Sequence, residues 1–425
     1  MKCQKMSCIV SLVVLMLTLC CLAGCGMSGE PEYAVISTGN VSADGMFQYD
    51  VYENRTAVIT GGTANDICLT IPAMIDGYPV VEIGEYAFAD NTAIGYLILG
   101  ENVRTISFSA FNQCAALIRV EATPALRTIG NSAFAGCTAL TEIKGATRLE
   151  TISESAFFQC ISLVKAPLPA TLRTLEPQAF YGCSSLVEAV LPEKLTVLTD
   201  SVFSFCTSLA RVELGGVTVI ESNAFQRCTS LCKISIGKNV TSIGESVFRG
   251  CYALSNIEFL GKLTEIGYCA FEETAWMTAQ TDDFVIVGDG ILLRYNGTAT
   301  DVTVPKGVRV ITDAFCDNDN IKSVTIPDSV TRIGSAAFSG CGQISRVTVG
   351  KNVETIDETA FAGCSMLASI YLPKSLTYVG NSAFNGCSLL SSVSYAGSRQ
   401  SYAKITVENG NDALLGAELK TGQRY

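Results

Sequence analysis

Short apolar–polar alternations recur along this chain at a nearly fixed spacing. One unit runs from Phe338 through Ile344, Val347, Val349, Val353 and Ile356, and the next from Phe361 through Leu367, Ile370, Leu372, Leu376 and Val379. The L-x-x-I-x-I stretch ends in period-2 alternation of β-favouring residues, which predicts a short strand facing a core. Pro often follows it (Pro192, Pro327, Pro373) and ends the pairing, because Pro has no N–H. The later V-x-x-I-G run predicts a second extended piece. The x-x-A-F-x-G-C stretch predicts one helical turn, with Gly136, Gly182, Gly250, Gly340, Gly363 and Gly386 suited to a left-handed cap.

The marker Phe stands at 88, 111, 134, 157, 180, 203, 225, 248, 271, 315, 338, 361 and 384. Ten of the twelve intervals are 23 residues, one is 22 and one is 44. Self-similarity at such a period predicts a repeat solenoid with short parallel strands and about 13 coils of 23 residues, each coil burying its apolar side against its neighbours. Strand spacing of about 4.8 Å makes this a rod roughly 60 Å long. The 48% apolar composition then feeds one continuous core.

The repeat I-G-x-x-A-F-x-G-C-x-x-L-x-x-I-x-I-P-x-x-V resembles the BspA-type leucine-rich repeats of bacterial surface proteins and some parasitic protists, over about residues 46 to 420. The resemblance implies a binding scaffold with varied partners. It also implies an irregular double repeat, here residues 272–314, with Thr274-Ala275-Trp276 followed by Phe284–Gly297. Tyr402-Ala403-Lys404-Ile405 and Asn411-Asp412-Ala413-Leu414-Leu415 are similar to the family's C-terminal ending, with Tyr402 where a Trp is commoner. The remaining organisation reads as a leader at 1–25, a Gly- and Ser-rich flexible tether at 26–45, a capping hairpin at 46–70, the solenoid at 71–395, and a cap or tail at 396–425.

Lys2 and Lys5, the apolar run Ile9–Leu19 and Leu22-Ala23-Gly24-Cys25 together have the signal and lipobox pattern of bacterial lipoproteins. Cys25 is the expected lipid attachment point, which predicts an extracytoplasmic, membrane-anchored protein at the cell surface. Removing residues 1–24 takes away two Lys and no acid, so the charge goes from −11 to −11 − 2 = −13. That balance disfavours nucleic acid and anionic lipid surfaces. The membrane is expected to be engaged only through the anchor.

Nineteen Cys in an exported chain suggest disulfides, but ten of them form a column three residues after the marker: Cys114, Cys137, Cys160, Cys183, Cys206, Cys228, Cys251, Cys341, Cys364 and Cys387. Asn91, Thr274 and Asn318 stand there in the other units, so the position is read as a hydrogen-bonding one and the thiols as structural and reduced. Parallel Cβ vectors suit a bridge poorly. Cys68, Cys232, Cys269 and Cys316 lie off the column, where a disulfide stays open. The spacing suits no metal. No cofactor is expected, and Asp282, Asp283 and Asp289 are read as turn chemistry. With no His anywhere, the commonest general base and the Ser and Cys triads are missing, and no catalysis is expected.

Eight residues after the marker, side chains should point outward. They read Arg119, Glu142, Lys165, Glu188 and Arg211 over five coils, an alternating register device. Farther along, hydroxyls take over, with one Arg and one aromatic. Thr325, Arg346, Thr348, Ser369, Tyr371 and Ser394 therefore form the candidate ligand face, since Arg and Tyr are favoured at contact hot spots. The expected function is protein–protein interaction or adhesion by a monomer, with a bacterial or host surface protein as partner. A glycan-binding role and a structural spacer are the alternatives.

Overall fold

The computed structural model describes residues 33–63 and 66–422. They form a solenoid of about 16 turns. That is three more than the thirteen marker Phe, because the irregular unit and the two ends add turns without the marker.

Each regular coil contributes two short strands. The main strand starts eight residues after the marker, as in Arg119–Glu121, and the second strand starts seventeen after it, as in Thr128–Ile129. Both pair in parallel with their counterparts one repeat away, for example Glu142↔Arg119 and Thr151↔Thr128. The inward residues are buried: Val120, Ile129, Leu126 and Leu117 have no exposed surface. Each large apolar side chain taken from water stabilises the fold by roughly 1.5–3 kcal/mol before entropy.

Around the marker, three overlapping tight turns replace the expected helical turn. Ala110 N donates to Ser107 O, Asn112 N to Ser109 O, and Cys114 N to Phe111 O. The alternate N–H groups reach the next coil: Ser109 N to Asn131 O, Phe111 N to Ala133 O, and Gln113 N to Ala135 O. This alternation requires left-handed residues two before and two after the marker, such as Ser109 (φ 52°) and Gln113 (φ 59°), a pattern broken before Phe315, where Asp313 is not left-handed. A right-handed helix cannot hold them. Gly136 and Gly182 take the later position where the preceding coil's Gln113 or Gln159 side chain lies across it, so that a Cβ would sit 2.4–2.5 Å from the amide.

The marker rings stack as a continuous column from Phe88 to Phe271 and again from Phe315 to Phe384, at centroid separations between 4.9 Å and 5.8 Å. The widest gap, Phe203 to Phe225, coincides with the one 22-residue interval.

Of the tether expected at 26–45, residues 33–45 are described, and there the expectation needs correction. Val35–Val41 is a strand, antiparallel to Phe47–Tyr52, which in turn pairs with Ala57–Gly62 across a turn at Asn54-Arg55. Ala57–Gly62 then pairs in parallel with Tyr78–Ile83, so the hairpin joins the second-strand sheet and covers its first coil. At the other end Glu418–Thr421 adds a parallel strand to Ser392–Tyr395. The buried Asn411 side chain there donates to Gly380 O (2.8 Å) and accepts from Phe384 N (3.0 Å). Residues 1–32, which hold Cys25 and the leader, lie outside the described residues.

Candidate binding face

In the C-terminal arm the strands Ser323–Thr325, Arg346–Thr348, Ser369–Leu372 and Ser392–Tyr395 present the expected face. Their register sets Arg346 beside Ser323, Thr348 beside Thr325, and Tyr371 beside Ser394. Thr325, Arg346 and Ser369 are exposed, and Thr348, Tyr371 and Ser394 are half-buried. The face is divided, however. Arg346–Thr348 closes one three-stranded sheet and Ser369–Leu372 opens the next. Among the described residues Arg346 takes part in no ion pair within 4 Å. Ser323, its neighbour in register, hydrogen-bonds the Asp301 carboxylate instead.

The N-terminal arm differs. Arg119 pairs with Glu142 (2.5 Å), Arg211 with Glu188 (3.3 Å) and Glu213 (2.5 Å), and Lys233 with Glu258 (2.9 Å). Lys144 and Arg119 hold the Glu142 carboxyl below its ordinary value. Pairs this exposed contribute little stability and chiefly fix register. At Lys165 the sheet narrows to an isolated bridge with Glu188, since Pro167 supplies no N–H. Beside this column lies a patch that sequence reasoning passed over: Ile161, Val164, Val187 and Val190, all exposed. Its signal was present seven residues after the marker, where Val164 and Val187 stand and other coils carry Thr141, Lys322, Ser345 or Ser391.

The column thiols are buried, and each donates to the carbonyl of the preceding coil's marker Phe, as Cys183 Sγ does to Phe157 O (3.2 Å) and Cys341 Sγ to Phe315 O (2.9 Å). Burial pushes all ten up, Cys114 and Cys387 to about 11 and the inner ones further. Such thiols are poor nucleophiles. All fourteen described cysteines are free thiols, Cys68 and Cys232 being exposed. Among the described residues no group of three His, Cys, Asp or Glu side chains is placed to hold a metal.

The irregular unit divides the interior. One buried cluster ends at the Phe271 coil and its hairpin, and a second begins with Leu292 and Tyr295. Trp276 packs partly buried against the last ring of the first stack (5.4 Å from Phe271), and Tyr295 lies 5.2 Å from the first ring of the second, Phe315. Between the two turn regions opens a crevice of about 650 Å³, lined by Cys269, Glu272, Glu273, Asp313, Cys316 and Asp317 among others. Cys269 N donates to the Asp313 carboxylate (3.1 Å), whose burial pushes its pKa up. On the second-strand side Arg332 reaches back across the unit to Glu265 (2.5 Å) while holding Asp357 (2.6 Å). Asp289, in the hairpin, is paired with Arg309 (2.7 Å).

The family profile described as BspA type leucine rich repeat region, in six copies, matches residues 69–187, 150–278 and 294–406. The chain belongs to this BspA-type leucine-rich repeat family. A leucine-rich cell surface protein from Faecalibacterium prausnitzii is 28% identical, the match covering 87% of this chain and 98% of that one with a TM-score of 0.44. A leucine-rich repeat protein from T. pallidum is 29% identical over 51% of this chain and 91% of its own, with a TM-score of 0.42. A Bacteroides ovatus leucine-rich repeat protein is 21% identical over 88% and 98%, with a TM-score of 0.48. No curated protein matches the sequence. The BspA-type repeat explains the paired strand columns and the little helix. Among the described residues no helix is long and apolar enough to cross a membrane.

Proposed function

We propose that this BspA-type protein is a non-catalytic surface module, lipid-anchored through Cys25, that binds a protein partner along the main-strand face of its C-terminal arm. The observation that supports this reading most is Arg346, an exposed guanidinium without an ion-pair partner among described residues, set in a row of hydroxyls beside the Tyr371 coil. Every Arg on the same column of the N-terminal arm is already paired. Contacts to such a face accumulate along neighbouring coils about 4.8 Å apart, giving an extended footprint.

Two measurements test it. Captured partner should bind Arg346→Ala or Tyr371→Ala at least about fivefold more weakly than the parent chain, the loss of roughly 1 kcal/mol that marks a hot spot. Thr174→Ala, on the second-strand sheet, should leave binding unchanged. Normal binding by both face variants removes this face from consideration, and competition by soluble envelope glycan would move the reading to a glycan ligand. Separately, Cys25→Ala should leave the protein unprocessed or release it from the membrane fraction. An intact mass showing an unmodified Cys25 at the mature N-terminus would overturn the anchor.

A further inference from the structure

We propose that the N-terminal arm carries a self-association surface, centred between the Phe157 and Phe180 coils, whose occupant is a second copy of this chain. It does not rest on the partner reading above, which concerns the other arm, and it replaces the monomer expected from sequence.

Two features act together: an apolar patch sets the centre, and an alternating charge column sets the register about it. The first is apolar. Ile161, Val164, Val187 and Val190 are each 42–46% exposed and sit on two adjacent coils, joined by the Val187 N to Val164 O bond. Single exposed aliphatics are ordinary, but four together beside a polar strand face are the composition of an interface centre.

The second feature is the alternating column Arg119, Glu142, Lys165, Glu188, Arg211. Laid antiparallel on its own copy, such a ladder meets like charges if the two-fold axis passes through a coil, and opposite charges if it passes between coils. With the axis between the Phe157 and Phe180 coils, Lys165 faces Glu188 of the second copy and Glu142 faces Arg211. Lys144 then faces Glu213, while Val164 comes over Val187 and Pro167 over Val190. The parallel register that aligns these side chains along the rod is present at Arg119–Glu142 and Glu188–Arg211, with Lys165 bridged to Glu188.

The next pair out, Arg119 against Lys233, is like-charged and bounds the surface, so four coils at about 4.8 Å and a strip roughly 15 Å wide give about 600 Å² of total buried surface, below the standard size for a stable complex. The dimer is therefore weak in solution, and confinement to a membrane plane raises the effective concentration.

Sedimentation equilibrium on residues 26–425, at up to about 500 μM, in keeping with an interface this small, should show mass rising toward twice the chain mass. Lys165→Glu and Glu188→Lys should each remain monomeric, because each places like charges face to face across the axis. Their equal mixture should recover the dimer, since one chain then supplies two acids and the other two bases. Val164→Asp should abolish association, with circular dichroism confirming that these exposed changes leave the fold intact. A wild-type chain that stays monomeric, charge variants that dimerise like wild type, or a mixture that fails to recover would each overturn the proposal.

Discussion

Phe180→Ala is expected to lower the free energy of unfolding by about 3–5 kcal/mol, the range for emptying a buried aromatic site. Phe180 is fully buried, with ring neighbours at 5.1 Å (Phe157) and 5.5 Å (Phe203), nearly parallel to both. Its removal leaves a void that the coil cannot close, because alternate N–H groups of the same turn are tied to the next coil: Phe180 N donates to Val202 O and Gly182 N to Ser204 O. Phe384→Ala should cost less, since among the described residues that marker ring stacks on one marker ring, Phe361 (5.3 Å), and ends the column. Denaturant unfolding followed by tryptophan fluorescence and circular dichroism compares them. A cost under about 1 kcal/mol at Phe180 would show that the ring column is not a principal source of stability.

Cys183→Asn should be more damaging than Cys183→Ala, by the order of about 3 kcal/mol against about 1–2 kcal/mol. The alanine variant loses the bond to Phe157 O and leaves a small void. The sequence makes Asn look like the gentler change, because Asn already stands at 91 and 318. The structure reverses that expectation. Asn91 and Asn318 occupy the first coil of each ring stack, where no earlier marker Phe in that stack offers a carbonyl, and they accept instead from their own loop, Asn91 from Ala93 N and Ile94 N and Asn318 from Asn320 N. At 183 the slot is fully buried and lies between Cys160 and Cys206, so an amide adds volume and a polar group that lacks room for its partners. Equal melting temperatures for the Asn and Ala variants would contradict this account.

The period, the strand positions and the inward residues could be read from the chain because alternation and repetition are local properties. Ile370 and Leu372 point inward wherever the coil lies. The turn at the marker was misread as helical because Ala-Phe flanked by small polar residues suits either geometry; only the φ of residues such as Ser132 and Gly136 separates them. Ser37, Gly39 and Asn40 gave the first strand the composition of a linker, although Val35, Ile36 and Val41 were there to be seen. The outward placement of Arg346 and Tyr371 followed from parity, but the division between their sheets did not. The Arg332–Glu265 pair joins residues 67 apart and depends on the path of the chain through the irregular unit, which no local pattern encodes.

Under the export proposed above, ten thiols that are inert once enclosed are hazards while the chain is still threading out on the oxidising side of a membrane. The acceptor of each thiol lies 25 or 26 residues earlier, at the marker Phe of the coil just completed. A chain emerging amino end first can therefore lay each sulfur against its carbonyl as soon as that coil closes, and the next coil covers it. Closure between adjacent repeats is a short-range event, far faster than disulfide chemistry. At any moment only the growing end carries reactive sulfur. On that proposal translocation order protects the column, and a pause during export would be the moment at which this protein is most exposed to wrong cross-links.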